Sequence, residues 1–204
     1  MVLQNERMSI RTWTFHDDEL LDDWPPYNDP TEPLWNLPRR VAYGDDQWGQ
    51  FFAGSGMRRT WAVEDRTGRL IGRISLRDID NAKSQARLGI TFGAPYIGRG
   101  LGTDALGLFL DHYFTDLGFL VLLLDVAAPN QRAVRAYERL GFSHIGGDWR
   151  QADSRFDRRI LSDLRYAQIH RFFRQTQRGL EVEFFEMRLL KEEWFTHEWR
   201  RRAL

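Results

Sequence analysis

A loop with three alternating glycines constrains this chain more than any other stretch. It reads Tyr96-Ile97-Gly98-Arg99-Gly100-Leu101-Gly102-Thr103, directly after the apolar run 88–92 and directly before a helical pattern. Glycine allows left-handed backbone conformations and lets the main chain approach a ligand closely. Successive free N–H groups that lead into a helix N-terminus form a site for phosphate. The loop therefore predicts a strand, a phosphate-binding turn and a helix, in that order.

Composition restricts the class of protein. The 204 residues suffice for one domain with a full core, and 29 basic residues balance 29 acidic ones. No global field therefore recruits nucleic acid or an anionic membrane. Cysteine is absent, which excludes disulfides, thiolate metal sites and cysteine nucleophiles. Residues 1–11 lack the apolar segment of a signal peptide, and the longest apolar run, 119–124, is far shorter than the ~20 residues of a membrane span. A cytoplasmic protein is expected.

Patterns of apolar residues predict the elements before the loop. In order they are a strand over 8–15, an acidic helix over 16–24, a proline-rich loop over 28–38, a second short helix over 41–56, and strands over 60–64, 70–78 and 86–92. The second helix contains Tyr43, Trp48, Phe51 and Phe52, which either line an acceptor pocket or, as the favoured interpretation, cover one edge of the core. The three strands form an antiparallel meander, because 65–69 has the composition of a hairpin turn.

The pattern changes after the loop. Apolar residues at helical spacing predict a helix over 103–117, which ends at Gly118. The run 120–126 is apolar almost without alternation, as in a strand buried on both faces. A strand, a helix and a strand in one sheet imply a right-handed parallel crossover.

A further helix with a defined start follows that strand. Asn130 caps it, and it extends over 131–140. Ala133, Val134 and Tyr137 lie on the face of the cap residue, at i+3, i+4 and i+7. A small residue between a polar cap and a phenol leaves space along this face. Spacing alone leaves open whether Ala133 and Tyr137 line a ligand site or only pack.

The last part of the chain is rich in arginine. Its predicted elements are a strand over 142–149, an arginine-rich stretch over 151–179, a strand over 181–190 and a short helix over 191–202. Within the arginine-rich stretch, Ile160, Leu164 and Ala167 fit an amphipathic helix. Arginine interleaved with aromatic residues can bind RNA, but it more often covers the apolar face of its own helix. With zero net charge, RNA binding is disfavoured.

Four blocks together resemble a known family. They are residues 88–92, the glycine loop with its helix start over 96–105, residues 126–134 with the Asn130 cap, and the motif Tyr137-x-x-x-Gly141-Phe142. In this order and at these distances they resemble the acyl-CoA core of the GNAT superfamily of N-acetyltransferases. Residues 70–76, 78–80 and 187–189 resemble, more narrowly, the RimJ/RimL-like branch, which acetylates the N-termini of ribosomal proteins. The similarity covers roughly 60–147.

The resemblance implies a fold. It is an α+β fold of the GNAT type, with a twisted, mostly antiparallel sheet of about seven strands, a splayed parallel pair of strands at its centre and helices on both faces. It also implies one acetyltransferase domain over 1–204, with the acyl-CoA core over 60–147 and an insertion over 151–180 before the last strand.

The resemblance also implies acetyl-CoA as a co-substrate and no metal. Tyr137 would be the catalytic acid that protonates the departing CoA thiolate, and a backbone N–H between Ile90 and Phe92 would stabilise the developing oxyanion. The glycine loop would hold the pyrophosphate, and Asn130 would contact the pantetheine arm. The cofactor-binding residues so implied are Ile90, Thr91, Phe92, Gly98, Arg99, Gly100, Leu101, Gly102, Thr103, Asn130, Ala133 and Tyr137.

The partner implied is an amine acceptor, which must be neutral to attack. Many relatives carry Glu where this chain has Arg87, so the general base is open among Glu64, Asp78 and Asp80, each of which is more simply a surface carboxylate. A lysine amine, with a pKa of ~10.4, costs about 3 to 4 kcal/mol more to deprotonate at pH 7 than an α-amine with a pKa of ~7.7–8.0. The expected acceptor is therefore a peptide N-terminus or a small amino metabolite.

There are two alternatives to the acetyltransferase. A dinucleotide-binding oxidoreductase shares the spacing Gly98-x-Gly100-x-Gly102, but four predicted strands precede this loop, whereas the nucleotide fold opens with it. A non-catalytic acyl-CoA-binding or sensor module of the same fold stays open. No nucleic acid or membrane partner is expected, and a homodimer is left open as the assembly.

Overall fold

The computed structural model describes residues 2–38 and 58–203. Its strands are β1 (Val2–Gln4), β2 (Met8–Thr12), β3 (Arg59–Asp65), β4 (Leu70–Asp80), β5 (Gln85–Phe92), β6 (Val121–Ala127), β7 (Ser143–Gln151), β8 (Phe173–Thr176) and β9 (Gly179–Leu190). Its helices are α1 (His16–Asp22), α2 (Leu101–Thr115), α3 (Gln131–Arg139), α4 (Ala167–His170), α5 (Lys191–Thr196) and α6 (Glu198–Ala203). Among these helices none is both long and apolar enough to cross a membrane.

The nine strands of the described residues belong to one sheet. Their order is β1-β2-β3-β4-β5-β6-β9-β7, and β8 pairs with the first half of β9. Every pairing is antiparallel except that of β5 with β6. The mixed α+β class and the parallel pair are confirmed. The sheet has two strands more than predicted, because the short segments Val2–Gln4 and Phe173–Thr176 add to exposed edges of β2 and β9.

The parallel pair separates soon after it forms. β5 and β6 are paired only where residues 85–87 of β5 lie opposite 121–123 of β6. Beyond Arg87, β5 stays paired with β4 as far as Phe92, and β6 stays paired with β9 as far as Ala127. The two strands therefore remain in the sheet but diverge from each other, which opens a cleft in its centre.

The main core lies between one face of the sheet and α2. Ile74 of β4 and Leu88 of β5 are buried against Phe109 and Tyr113 of α2. The Tyr113 hydroxyl donates a hydrogen bond of 2.6 Å to the carbonyl of Val121, so the phenol that is buried in this core has a partner. The apolar helical pattern of the sequence thus produces the buried face of α2.

A second core lies beyond the end of β6. Phe156, Ile169 and Phe172, from the stretch between β7 and β8, are buried together with Leu34 and Leu37 of the proline-rich loop. The stretch 151–180, predicted as an insertion, therefore packs on the loop that follows α1 rather than projecting from the fold.

The amphipathic helix predicted through Ile160 and Leu164 is wrong. The structure has 3₁₀ turns over 158–162 and 164–166 and only the four-residue α4 after them. Asp157 and Asp163 each accept a hydrogen bond from the backbone N–H two residues later and pair with the Arg side chain there. These local bonds compete with helical pairing. Leu164, predicted on the apolar face, is 88% exposed.

Other boundaries differ by smaller amounts. The first long strand ends at Thr12 rather than at residue 15, and the final helical segment is divided at His197 into α5 and α6. The predicted second short helix over 41–56, with its four aromatic residues, lies outside the described residues.

Candidate active site

A cleft with a volume of about 640 Å³ lies between the diverging strands. Its walls come from β4, β5, β6, the glycine loop, α3 and the proline-rich loop. Of the twelve residues predicted to bind the cofactor, ten line this cleft, and Arg99 and Leu101 do not. Leu101 packs against the main core, while Arg99 is exposed and its carbonyl accepts a hydrogen bond of 3.2 Å from Arg7.

The glycine loop has the geometry of an anion cradle. Gly98 and Gly100 have φ of +74° and +80°, which only glycine adopts without strain. Asp104 donates the first N–H···O=C bond of α2, to the carbonyl of Gly100, and no side chain in the described ranges caps the helix. The N–H groups of residues 101–103 are therefore available to a ligand. Within 4 Å of a Cβ built on Gly98 the described chain has no atom, so the loop faces open space.

One face of α3 forms the opposite wall. The Asn130 side chain accepts a hydrogen bond of 3.3 Å from the Ala133 N–H, which caps the helix as predicted. Ala133 and Tyr137 line the cleft, whereas Val134 is buried in the main core. The structure therefore places three of the four residues of that face at the cleft.

Tyr137 has the protonation state that a proton donor needs. Burial raises the pKa of its hydroxyl to about 12, because the charged phenolate loses its hydration. Its ring packs edge-on against Phe142, with 5.8 Å between the ring centroids. The phenol is thus neutral and held in position at physiological pH.

The proline-rich loop covers the face of the sheet that is turned away from α2. The Tyr27 hydroxyl donates a hydrogen bond to the Phe92 carbonyl at the end of β5, and the Tyr27 ring lies edge-on to Trp35 at 5.2 Å. Arg150 of β7 donates a bond of 2.8 Å to the carbonyl of Leu37. The loop is therefore attached to both sides of the cleft. Tyr27 lies directly before this loop; sequence reasoning missed it, and only its position between Pro26 and the proline-rich loop could have pointed to it.

Asp125, also missed from the sequence, lies where the parallel pair begins to separate. Its carboxylate is bound by Arg87, by Arg77 at 3.0 Å and by Arg150 at 3.2 Å. Burial alone would raise the pKa of Asp125, but the three guanidinium groups lower it below the usual value. A carboxylate so paired is a weak proton acceptor. The sequence contained a signal for Asp125, because an ionised residue inside a buried apolar strand requires charged or hydrogen-bonding partners.

The carboxylates considered as general bases lie elsewhere. Glu64 accepts a hydrogen bond of 2.8 Å from Arg11, Asp78 pairs with Arg77 at 3.3 Å, and Asp80 pairs with Lys83 at 3.4 Å. None of the three lines the cleft, and among the described residues Asp125 is the only carboxylate that does.

Arginine dominates the polar lining of the cleft. The arginines that line it are Arg58, Arg73, Arg77, Arg132, Arg135, Arg139 and Arg150. Three of them are on α3, and one of these, Arg132, also lies over the Trp35 ring at 5.0 Å. A cleft with this lining can hold an anionic ligand such as a phosphorylated cofactor, and its open strand edges can donate N–H bonds to a carbonyl oxygen.

The fold and this site define the class of protein. A model of the acetyltransferase (GNAT) domain matches residues 7–143, and the chain belongs to the GNAT acetyltransferase family.

Particular relatives match over shorter stretches. The chain is 36% identical to spermidine N(1)-acetyltransferase of Escherichia coli (strain K12) over 84 residues, which are 41% of this chain and 45% of that protein. It is 33% identical to the Vibrio cholerae enzyme of the same name over 88 residues, 43% of this chain and 51% of that protein. The chain thus spans about half the length of the curated relatives it matches.

The fold is also similar to solved structures. A crystal structure of spermidine N-acetyltransferase from Vibrio cholerae in complex with CoA and spermine superimposes with a TM-score of 0.65, over 94% of this chain and 100% of that one. Sequence identity in this comparison is 19%, so the likeness concerns the fold.

Proposed function

We propose that this chain is an N-acetyltransferase that transfers the acetyl group of acetyl-CoA to a primary amine by direct attack. The observation that carries the proposal is the pair of strands that part after Arg87 and Leu123. The glycine loop follows β5 and leads into α2, whose N-terminus has no side-chain cap. This arrangement offers one row of N–H groups to phosphates and another to a carbonyl oxygen. Membership of the GNAT family supports it.

In this proposal the glycine loop, from Gly98 to Thr103, binds the pyrophosphate through its N–H groups and the N-terminal end of α2. A main-chain N–H between Ile90 and Phe92 donates to the thioester oxygen as negative charge develops there. Asn130 and Ala133 contact the pantetheine arm.

Tyr137 is then the proton donor to the departing thiolate. Its hydroxyl carries a proton at pH 7, as a tyrosine with an ordinary pKa of ~10 does, and burial raises its pKa further, to about 12. CoA carries an ordinary thiol, with a pKa of ~8.5, so the proton accelerates departure without being indispensable.

The acceptor we propose is a peptide N-terminal α-amine or a small amino metabolite. Asp125 is bound by three arginines and is therefore a poor base. An amine that is already partly neutral at pH 7 needs less help. Assignment to the RimJ/RimL-like branch, a cytoplasmic location and a homodimer belong to this proposal and rest on the sequence resemblance and composition alone.

The paired state of Asp125 also supports a second candidate, an acyl-CoA-binding module without catalysis. Incubation with acetyl-CoA, a thiol reagent and a library of amines separates the two. Release of CoA that depends on an amine identifies the enzyme. A thermal shift with acetyl-CoA but no release identifies the binding module, and no association at millimolar acetyl-CoA would exclude both.

A further inference from the structure

The described residues give the cleft an excess of positive charge. Seven arginines and one carboxylate line it, and that carboxylate is Asp125, whose two oxygens are taken by arginines. The described part of the lining therefore favours anionic ligands over cationic ones.

The arginines form two groups on different elements. Arg132, Arg135 and Arg139 lie on α3, beside the proposed pantetheine wall. Arg73 and Arg77 lie on β4, opposite Thr91 and Arg87 of β5.

The strand group faces away from the cofactor loop. Directly opposed residues of an antiparallel pair share one face of the sheet. Ile74 and Leu76 of β4 are buried against α2, so Arg73, Ser75 and Arg77 lie on the other face, beneath the proline-rich loop. Phosphate groups held at the N-terminus of α2 do not account for a cation on that face.

Of the two arginines on β4, Arg73 is the one whose guanidinium can bind a ligand. Arg77 is paired with Asp78 and Asp125. The guanidinium of Arg73 lies over the Trp13 ring at 5.8 Å, and the described part of the chain provides it with no hydrogen bond. Burial and the nearby charge of Arg58 lower the pKa of Arg73, an effect that Asp18 only partly offsets.

Arg73 is half-buried and Arg58 is exposed, but both line the same cleft and the charge of Arg58 acts on Arg73, so an anion bound there is stabilised by both guanidinium groups. Resting on the proposed acetyltransferase function, we propose that the acceptor is a primary amine that also carries an anionic group, a carboxylate or a phosphate ester, and that Arg73 and Arg58 bind this group.

Arginine suits this role because its planar fork matches both kinds of anion with two hydrogen bonds. The same positive charge lowers the pKa of an ammonium group held nearby and so favours the neutral amine that attacks. It also disfavours a polyamine, which presents only positive charge. The inference therefore separates this chain from the spermidine acetyltransferases to which it is similar.

Matched acceptors test the charge requirement through release of CoA. One arm compares amino carboxylates with their primary carboxamides, a second compares phosphoethanolamine with ethanolamine, and spermidine represents the polycations. We expect kcat/KM to be at least about 10-fold higher for the anionic member in one arm, within the range of a charge-assisted hydrogen bond. The arm that responds identifies carboxylate or phosphate. Equal or better turnover of the neutral members or of spermidine overturns the inference, whereas no release with any amine overturns the proposed function instead.

Variants of Arg73 and Arg58 then test whether these two arginines bind the anionic group of the acceptor. Arg73→Met and Arg58→Met should each raise KM for the anionic acceptor by about 10- to 100-fold and leave KM for acetyl-CoA unchanged. Arg159→Met, which removes an exposed arginine paired with Asp157, is the matched control. A parallel rise in KM for acetyl-CoA would place Arg73 in the cofactor site and contradict the inference. Because Arg58 is exposed, its variant carries the test if Arg73→Met fails to fold.

Discussion

Tyr137 can be tested by removing a single oxygen atom. Tyr137→Phe should lower kcat by ~10²-fold, the usual contribution of a general acid. The dissociation constant for acetyl-CoA should stay the same, because the ring keeps its contact with Phe142. Steady-state release of CoA and calorimetry measure the two quantities. Tyr166→Phe, outside the cleft, is the control. A variant with the full rate would remove Tyr137 from the chemistry.

Gly100 is tested against a glycine with the same backbone conformation. Gly100→Val should abolish measurable binding of acetyl-CoA, because a branched side chain blocks the cradle. Gly68 has φ of +79°, almost equal to the +80° of Gly100, but lies in the hairpin turn between β3 and β4. Gly68→Val therefore carries a similar backbone strain and should retain binding.

Calorimetry on both variants, after their thermal unfolding has been compared, gives the answer. Retained binding in Gly100→Val would mean that the glycine loop does not hold the ligand. An equal loss of acetyl-CoA binding in both variants would show that the loss comes from destabilisation of the fold.

At the level of elements, one buried carboxylate attaches α1 to the sheet. Asp17 is fully buried, accepts two hydrogen bonds of 2.7 Å from Arg11, and accepts one from the Thr14 N–H. The hydrogen bond from Arg11 holds the pKa of Asp17 at about 2, against an ordinary 3.8. This pairing stabilises the fold above pH 3.8, and its contribution is lost as the pH falls towards 2.

Asp17→Asn should therefore lower the free energy of unfolding at pH 7 by about 3 kcal/mol, as when one partner of a buried ion pair is removed. The variant should also show a weaker loss of stability between pH 4 and pH 2 than the unmodified chain. Denaturant titrations at several pH values measure both effects. Glu19→Gln on the exposed side of α1 is the control. If Asp17→Asn lost as much stability between pH 4 and pH 2 as the unmodified chain, the pairing of Asp17 would not be the cause of the pH dependence.

Elements with a strong periodic pattern were predictable. The apolar periodicity of α2, the nearly continuous apolar run of β6 and the Asn130 cap of α3 each depend on residues close in sequence. The helix predicted through Ile160 failed, because apolar spacing cannot register that Asp157 and Asp163 close local turns. β1 and β8 were not predicted, because such short segments become strands only through their pairing with β2 and β9.

At the scale of the molecule, the second core connects the stretch after β7 to the side of the cleft where the acceptor is proposed to bind. Phe172 is buried in it and lies edge-on to Phe185 at 5.8 Å. Leu37 belongs to the same cluster and lines the cleft. Phe172→Ala should reduce the free energy of unfolding by about 3 to 5 kcal/mol and raise KM for the acceptor while KM for acetyl-CoA stays constant.

Phe119→Ala provides a matched destabilisation in the main core, where Phe119 stacks on Tyr113 with 4.9 Å between the ring centroids. It should leave KM for the acceptor unchanged. Chemical denaturation and steady-state kinetics on the two variants make the comparison. The same rise in acceptor KM in both would show that the effect comes from lost stability rather than from the second core.

The sequence by itself determined the glycine loop, the elements on either side of it and the GNAT resemblance, because backbone conformation and helical periodicity are local properties. The resemblance implied that the parallel strands splay, but only the tertiary structure decided that β5 and β6 separate at Arg87, that Asp125 is bound by three arginines, and that Arg73 has no hydrogen bond among the described residues. Those facts depend on the register between strands that are distant in sequence. Charge pairing follows from that register, so composition, with its balance of 29 and 29 charges, conceals a cleft whose described lining has seven arginines and one carboxylate.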